Sequence, residues 1–291
     1  NTGTITAGGS GVFMGTAGGP GDHLTNSGTI TGGIANENNS RFVNGVLVEG
    51  RGSRIVNLES GVISSVAEDQ TNANGPAGIE YHDNSSGARL RNYGEVSATD
   101  GYGIDLDQTA DATNMSLINF GTVEGRLGSY RADDLGDNNA FVNRGTMVGD
   151  MDFRGGTDDF DNRAGEVQGD VILGSGDDFY DGRLDSNVSG GIYGDAGNDT
   201  VYGGHNADLI VGGNNDDELR GNGGNDEIRG DDGDDLMLGN DGDDELIGGN
   251  GNDSLFGGRG DDVLNGGNDN DRINGGDGDD RIIAGGGADI L

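Results

Sequence analysis

The chain has 291 residues, 53 acidic and 16 basic side chains, a formal net charge of −37, 63 glycines, two prolines and no cysteine. That charge makes nucleic acid and anionic membrane poor partners, and the missing cysteine removes disulfide and thiolate-metal chemistry. No window approaches the roughly 18 uninterrupted apolar residues of a membrane helix, and every basic residue is arginine, which removes a lysine-dependent phosphate loop.

The N-terminus, Asn1-Thr2-Gly3, has no charged stretch followed by an apolar one. Because the chain starts without methionine and stops inside the unit that begins at Ala284, it reads as a fragment, with an export signal expected outside it. Little apolar helical periodicity occurs, so short strands and tight turns are expected instead of helices. A loose repeat runs through the first half: Asn1-Thr2-Gly3-Thr4-Ile5, Asn26-Ser27-Gly28-Thr29-Ile30, Asn92-Tyr93-Gly94-Glu95-Val96, Asn119-Phe120-Gly121-Thr122-Val123 and Asn143-Arg144-Gly145-Thr146-Met147, with longer variants from Asn57 and Asn162. The asparagine-to-asparagine intervals, from Asn1 through Asn26, Asn57, Asn92, Asn119 and Asn143 to Asn162, suit turns of a parallel β-helix with loops of differing length, and they shorten toward the second half. Residues such as Ile5, Val12 and Leu24, or Val96, Ile104 and Leu117, are expected to line the interior. The asparagines are expected to form an amide ladder. Longer loops are expected at Val66 to Pro76, Tyr81 to Gly87, Asp107 to Met115 and Gly128 to Asn139. Insertions of this kind often carry binding.

Residues 153–193 read as transitional coils, in which Asp158 with Phe160 and Asp178 with Tyr180 already pair an aspartate with an inward residue two positions on. From Gly194 the chain becomes strictly periodic. Asp199, Asp208, Asp217, Asp226, Asp235, Asp244, Asp253, Asp262, Asp271, Asp280 and Asp289 follow one another at nine-residue spacing, each with an apolar residue two positions later, from Val201 to Leu291. Each unit from Gly194 to Gly275 opens with glycine. The pattern is G-G-x-G-x-D-x-U-x, which the parallel β-helix reading explains: two units make one coil, and residues two units apart stack.

Each residue type has a task in that unit. The opening glycines, Gly203, Gly212, Gly221, Gly230, Gly239, Gly248, Gly257, Gly266 and Gly275, are expected to adopt positive φ and bring carbonyls close to a cation. Asn206, Asn215 and Asp269 at the fourth position are residue types that tolerate a left-handed turn. The aspartates supply hard oxygens suited to Ca2+, and Asp158 and Asp178 are candidate ligands of the same kind. At ~4 Å, stacked carboxylates repel by about 4 kcal/mol at an effective dielectric of ~20. Each unit reliably buries one aliphatic side chain worth about 1.5 to 3 kcal/mol. Multiple calcium ions are therefore expected to tip the segment into its fold.

Units such as Gly248-Gly249-Asn250-Gly251-Asn252-Asp253-Ser254-Leu255-Phe256 strongly resemble the repeats-in-toxin (RTX) family. That resemblance implies a right-handed parallel β-roll, calcium between the glycine turns, and type I secretion from Gram-negative bacteria. Asp195, Asn222, Asp231 and Asn240 depart from the pattern at the second position, as does Ala207 before Asp208. The first half more loosely resembles autotransporter-type β-helix passengers, commonly surface adhesins. The expected fold is all-β, a right-handed parallel β-helix over 1–152, transitional coils over 153–193, and a calcium-binding parallel β-roll over 194–291, as one solenoid. The expected function is a secreted or cell-surface, non-enzymatic calcium-binding module of an adhesin, surface-layer or other extracellular protein, with surface polysaccharide, another protein or a second copy as partner.

The competing reading is a polysaccharide lyase or epimerase, for which Tyr81-His82-Asp83 is the only suitable cluster. His23, His82 and His205 are isolated and read as surface residues rather than zinc ligands, and no Gly-x-Ser-x-Gly nucleophile elbow occurs. Tyr202, Leu236, Leu238 and Phe256 are candidates for an outward apolar column. The extra carboxylates Asp234, Asp243 and Asp279 read as solvated surface, and positions three and five look too mixed for an ice-binding ladder.

Overall fold

The computed structural model describes residues 1–7, 11–14, 22–32, 44–48, 53–65, 77–81, 87–99, 101–106, 115–126, 128–132 and 138–291. Most of the expected long loops, with His82 and Asp83, lie outside these residues. Among the described residues every regular element is a β-strand, in sheets of eight, thirteen and twelve strands. The chain is all-β, its parallel sheets forming a single β-solenoid. It divides into two compact units, residues 1–155 with 167–169, and residues 156–166 with 170–291.

In the first unit each turn contributes one strand to each of three sheets, and equivalent residues stack one turn apart. Ile30 is in register with Ile5 and Ile63, and Leu117 with Leu90 and Phe141. Ile30, Ile63, Val96, Val123 and Met147 form a fully buried column, and Ile104 and Leu117 are buried as expected. Ile5, Val12 and Leu24 are only half-buried, because each lies in the first strand of its sheet and has a neighbour on one side only.

The asparagine ladder is continuous. Asn1, Asn26, Asn57, Asn92 and Asn119 each donate through Nδ2 to Oδ1 of the next member, ending on Asn143, over 2.9–3.2 Å. A buried amide has to find partners or cost about 1–3 kcal/mol, and stacking identical amides satisfies each with the next. The glycine two residues on is required by space. A Cβ at Gly121 would lie 2.0 Å from the Gly94 carbonyl oxygen, and one at Gly145 would lie 2.1 Å from that of Gly121.

In the second unit the eight-stranded sheet ends at Asn187–Val188, and later coils use only the other two sheets. A coil of two short units has room for two strands and two tight turns, not three of each. Ile210 is in register with Ile228, and Val201 with Leu219, each pair separated by one such coil. Strands such as Glu245–Asn250 run from the seventh position of one unit to the third of the next, leaving positions four to six as the turn. Period-two alternation then sends the eighth-position residues inward. Val201, Ile210, Leu219, Ile228, Met237, Leu246, Leu255, Leu264 and Ile273 are all buried. Ile282 and Leu291, in the last units, are 37% and 73% exposed.

Candidate metal centre: the aspartate rows

Within every nonapeptide turn but the one that opens at Gly203, left-handed backbone falls at the second and fourth positions. Asp195 and Gly197 have φ of 73° and 139°, and Asn240 and Gly242 have 78° and 145°. Asp195, Asn222, Asp231 and Asn240 are thus substitutions at a left-handed site, where Asp and Asn are the best-tolerated side-chain-bearing residues. Two expectations need correction. The first-position glycines do not have positive φ. Their requirement is space, since a Cβ there would lie 2.0–2.7 Å from Oδ2 of the aspartate five residues later, from Gly194 with Asp199 through Gly275 with Asp280. Asn206 is not left-handed either, unlike Asn215 and Asp269.

The aspartates stack coil upon coil in two rows, one on each edge. In the first row the amides of Asp199, Asp217, Asp235, Asp253 and Asp271 donate to Oδ1 of the aspartate one coil later, over 2.7–3.0 Å. In the second row Asp208, Asp226, Asp244 and Asp262 do the same over 2.8–3.0 Å. The carboxylates therefore do not simply face one another across the turn. In every member but Asp208, Oδ1 accepts an amide of the preceding coil, which leaves Oδ2 for the elbow.

That other oxygen is the distinctive feature. Oδ2 of Asp199, Asp217, Asp226, Asp235, Asp244, Asp253, Asp262 and Asp271 is buried without a hydrogen-bond partner, although each residue is at most 3% exposed. Withdrawal from water raises the pKa of these groups, with the accepted amide opposing it and neighbouring carboxylates reinforcing it in most. The Asp217 carboxyl is pushed up to about 8, Asp226 and Asp253 to about 7, and Asp199, Asp235 and Asp244 to about 6. Burial also raises Asp262 and Asp271. A buried carboxylate must be neutralised by a proton or by a cation.

Not every turn is equivalent. Oδ2 of Asp208 accepts the amide of Gly204 at 2.7 Å, in the one turn where neither the second nor the fourth position is left-handed. Asp280 and Asp289, in the last coils, are only half-buried. The fifth-position residues are exposed yet ordered, which revises their reading as plain solvated surface. Oδ1 of Asp216, Asp234, Asn252 and Asn270 accepts the amide one coil later over 2.7–3.2 Å, and Asp243 and Asp261 do so at 2.8–2.9 Å on the other edge. This ladder runs opposite to the sixth-position one. The recurrence of Asn and Asp at position five was its only trace in the sequence.

The other candidates are dispersed. Tyr81 lies in the core with its hydroxyl buried and unpartnered, and His82 and Asp83 lie outside the described residues. His23 and His205 are exposed. Among the described residues no group of three or more His, Cys, Asp or Glu side chains converges. A cation in the elbows is thus left to one or two carboxylates and backbone carbonyls. The apolar column is interrupted: Arg220 stands between Tyr202 and Leu238 in register, its guanidinium 5.1 Å from the Tyr202 ring centroid, and Leu236 belongs to the adjacent column. No motif announced one buried pair in the first unit, Arg131 to Asp105 at 2.6 and 2.8 Å.

Four overlapping stretches, 192–219, 211–246, 238–273 and 256–291, match the family model of the RTX calcium-binding nonapeptide repeat. Residues 192–291 are an RTX repeat array. Neither a curated protein nor a solved structure matches the chain. RTX nonapeptide repeats bind calcium ions, and the residues present fit that ion. Hard carboxylate and carbonyl oxygens are its preferred ligands, the orphaned Oδ2 atoms await a positive partner, and the space beside each is one that a Cβ would fill. Bound calcium supplies a divalent charge to the elbow. The chain's own part is to hold each carboxylate by its Oδ1, strip it of water, and keep the first position free of a side chain.

Proposed function

We propose that the RTX array is a calcium-dependent folding module of an extracellular or cell-surface protein, held by ions bound along Asp199 to Asp289 and the glycines Gly203 to Gly275. The observation that carries this reading is the row of buried Oδ2 atoms with no partner inside the protein. Each unsatisfied buried acceptor costs about 1–3 kcal/mol, and more if charged, so several together rival the ~5–15 kcal/mol that separates folded from unfolded domains. Sites in the ~0.1–1 mM range typical of extracellular modules fill outside a cell and empty in cytosol. A switch of that range, with a net charge of −37, supports secretion as a flexible, self-repelling chain and folding on arrival.

The first unit, held by apolar columns and the asparagine ladder, serves in this reading as a calcium-independent spacer or adhesive stalk. The non-enzymatic assignment draws support from Tyr81, whose side chain is committed to the core. Calorimetric titration of the metal-free chain with calcium tests the proposal. Saturable binding of several ions accompanied by strand formation is expected, and heat of dilution alone would overturn it.

A further inference from the structure

We infer that the cation column begins one coil before the matched repeats, with an additional divalent-cation site between turns 173–178 and 194–199 whose carboxylates are Asp178 and Asp199. The inference rests on the reading that orphaned Oδ2 atoms mark cation sites. The family match begins at residue 192 and does not include Asp178.

Four features of the matched turns recur. The Asp178 amide donates to Oδ1 of Asp199 at 2.8 Å, and the Asp158 amide in turn donates to Oδ1 of Asp178 at 2.7 Å. Asp178 is 2% exposed, and its Oδ2 is buried without a partner. Gly174 and Gly176, at the second and fourth positions, are left-handed with φ of 103° and 133°. Gly174 and Ser175 are in register with Asp195 and Ala196, although this coil is longer than those of the array. Its extra length is absorbed away from the elbow.

One feature differs and accounts for the turn escaping a repeat pattern. The first position is Leu173, fully buried, where the array has glycine. In the other turns a Cβ at this position would meet Oδ2 of the aspartate five residues on, so this site is expected to be weaker and to fill last. The extension is confined to one edge. On the other, the register places Gly190, which carries no carboxylate, one coil before Asp208, and Asp208 has its own amide partner at Gly204. Turn 153–158 also has left-handed second and fourth positions, Arg154 and Gly156, but there the Phe153 carbonyl accepts the Gly155 amide at 2.8 Å.

The test uses the full chain. Native mass spectrometry at saturating calcium is expected to count one ion fewer for Asp178→Asn, which keeps an acceptor for the Asp158 amide, than for the wild type. An unchanged count overturns the inference. Should Asp178→Asn not fold, wild-type crystals soaked in terbium chloride decide the matter, with an anomalous peak expected beside Asp178 Oδ2. Peaks along Asp199 to Asp289 with none at Asp178 would overturn this site and leave the folding module standing, whereas no peak anywhere would overturn both.

Discussion

Asp217 and Asp235 are joined by a 2.8 Å hydrogen bond from the amide of the first to Oδ1 of the second, while Oδ2 of each is buried with nothing to bind. Half of the carboxylate builds the coil and half is reserved for a positive charge. The same bond is repeated along both edges, so each coil hands one carboxylate oxygen to the coil before it.

Acid should partly replace the metal. The raised folded-state pKa values mean that the metal-free fold binds more protons than the unfolded chain between the ordinary carboxylate value near 4 and the values of about 6 to 8 in the rows. Stability from this source is fully present below about pH 4 and is lost as pH rises through about 6 to 8. Chelator-treated protein is expected to resist urea better at pH 5 than at pH 8. The opposite order would mean that the carboxylates are already satisfied.

Gly221→Ala should lose a calcium site. Its Cβ would lie 2.0 Å from Oδ2 of Asp226, whereas at Gly223, two residues away, nothing lies closer than 3.8 Å. A cost of about 1–3 kcal/mol in calcium-loaded stability is expected at Gly221, and a change within ~1 kcal/mol for Gly223→Ala. Calcium-dependent melting curves of the two variants provide the comparison.

Asp234 and Asp235 are adjacent but serve different ladders. Asp234→Asn retains an acceptor for the Asn252 amide, now 2.7 Å from Asp234 Oδ1, and should leave the number of bound ions unchanged. Asp235→Asn retains the bond from Asp217 but removes the charge from the elbow, and should lose at least one ion. Ion counting by native mass spectrometry separates them. Equal losses would show that exposed and buried rows share the metal.

In the first unit, Asn92→Leu removes the acceptor for Asn57 and the donor to Asn119, both at 2.9 Å. With about 1–3 kcal/mol for each stranded partner, a loss of roughly 2–5 kcal/mol is expected. Calcium should not restore it, since no member of the aspartate rows lies in that unit. Differential scanning calorimetry in calcium and in chelator would reveal any rescue.

The second unit was legible because its periodicity is strict. A residue type repeated at a fixed short interval determines which side chains stack before any coordinates are known, and Val201 through Ile273 went to the core accordingly. What the spacing could not convey was direction. Nothing in the sequence says that Asp235 reaches back to the coil before while Asp234 reaches forward to the coil after. The role of Gly221 was misread for a related reason: glycine signals either positive φ or close approach, and the sequence does not separate the two. The buried Arg131–Asp105 pair joins register partners one coil apart, but no recurring residue type marks those positions in the sequence.

Far-UV circular dichroism of the full chain through a calcium titration at neutral pH tests the central claim most directly. The account requires that chelator abolish the strand signal contributed by residues 192–291 and that calcium restore it in a cooperative step. A spectrum unchanged by chelator would contradict it, because the buried carboxylates would then be holding their fold without a cation.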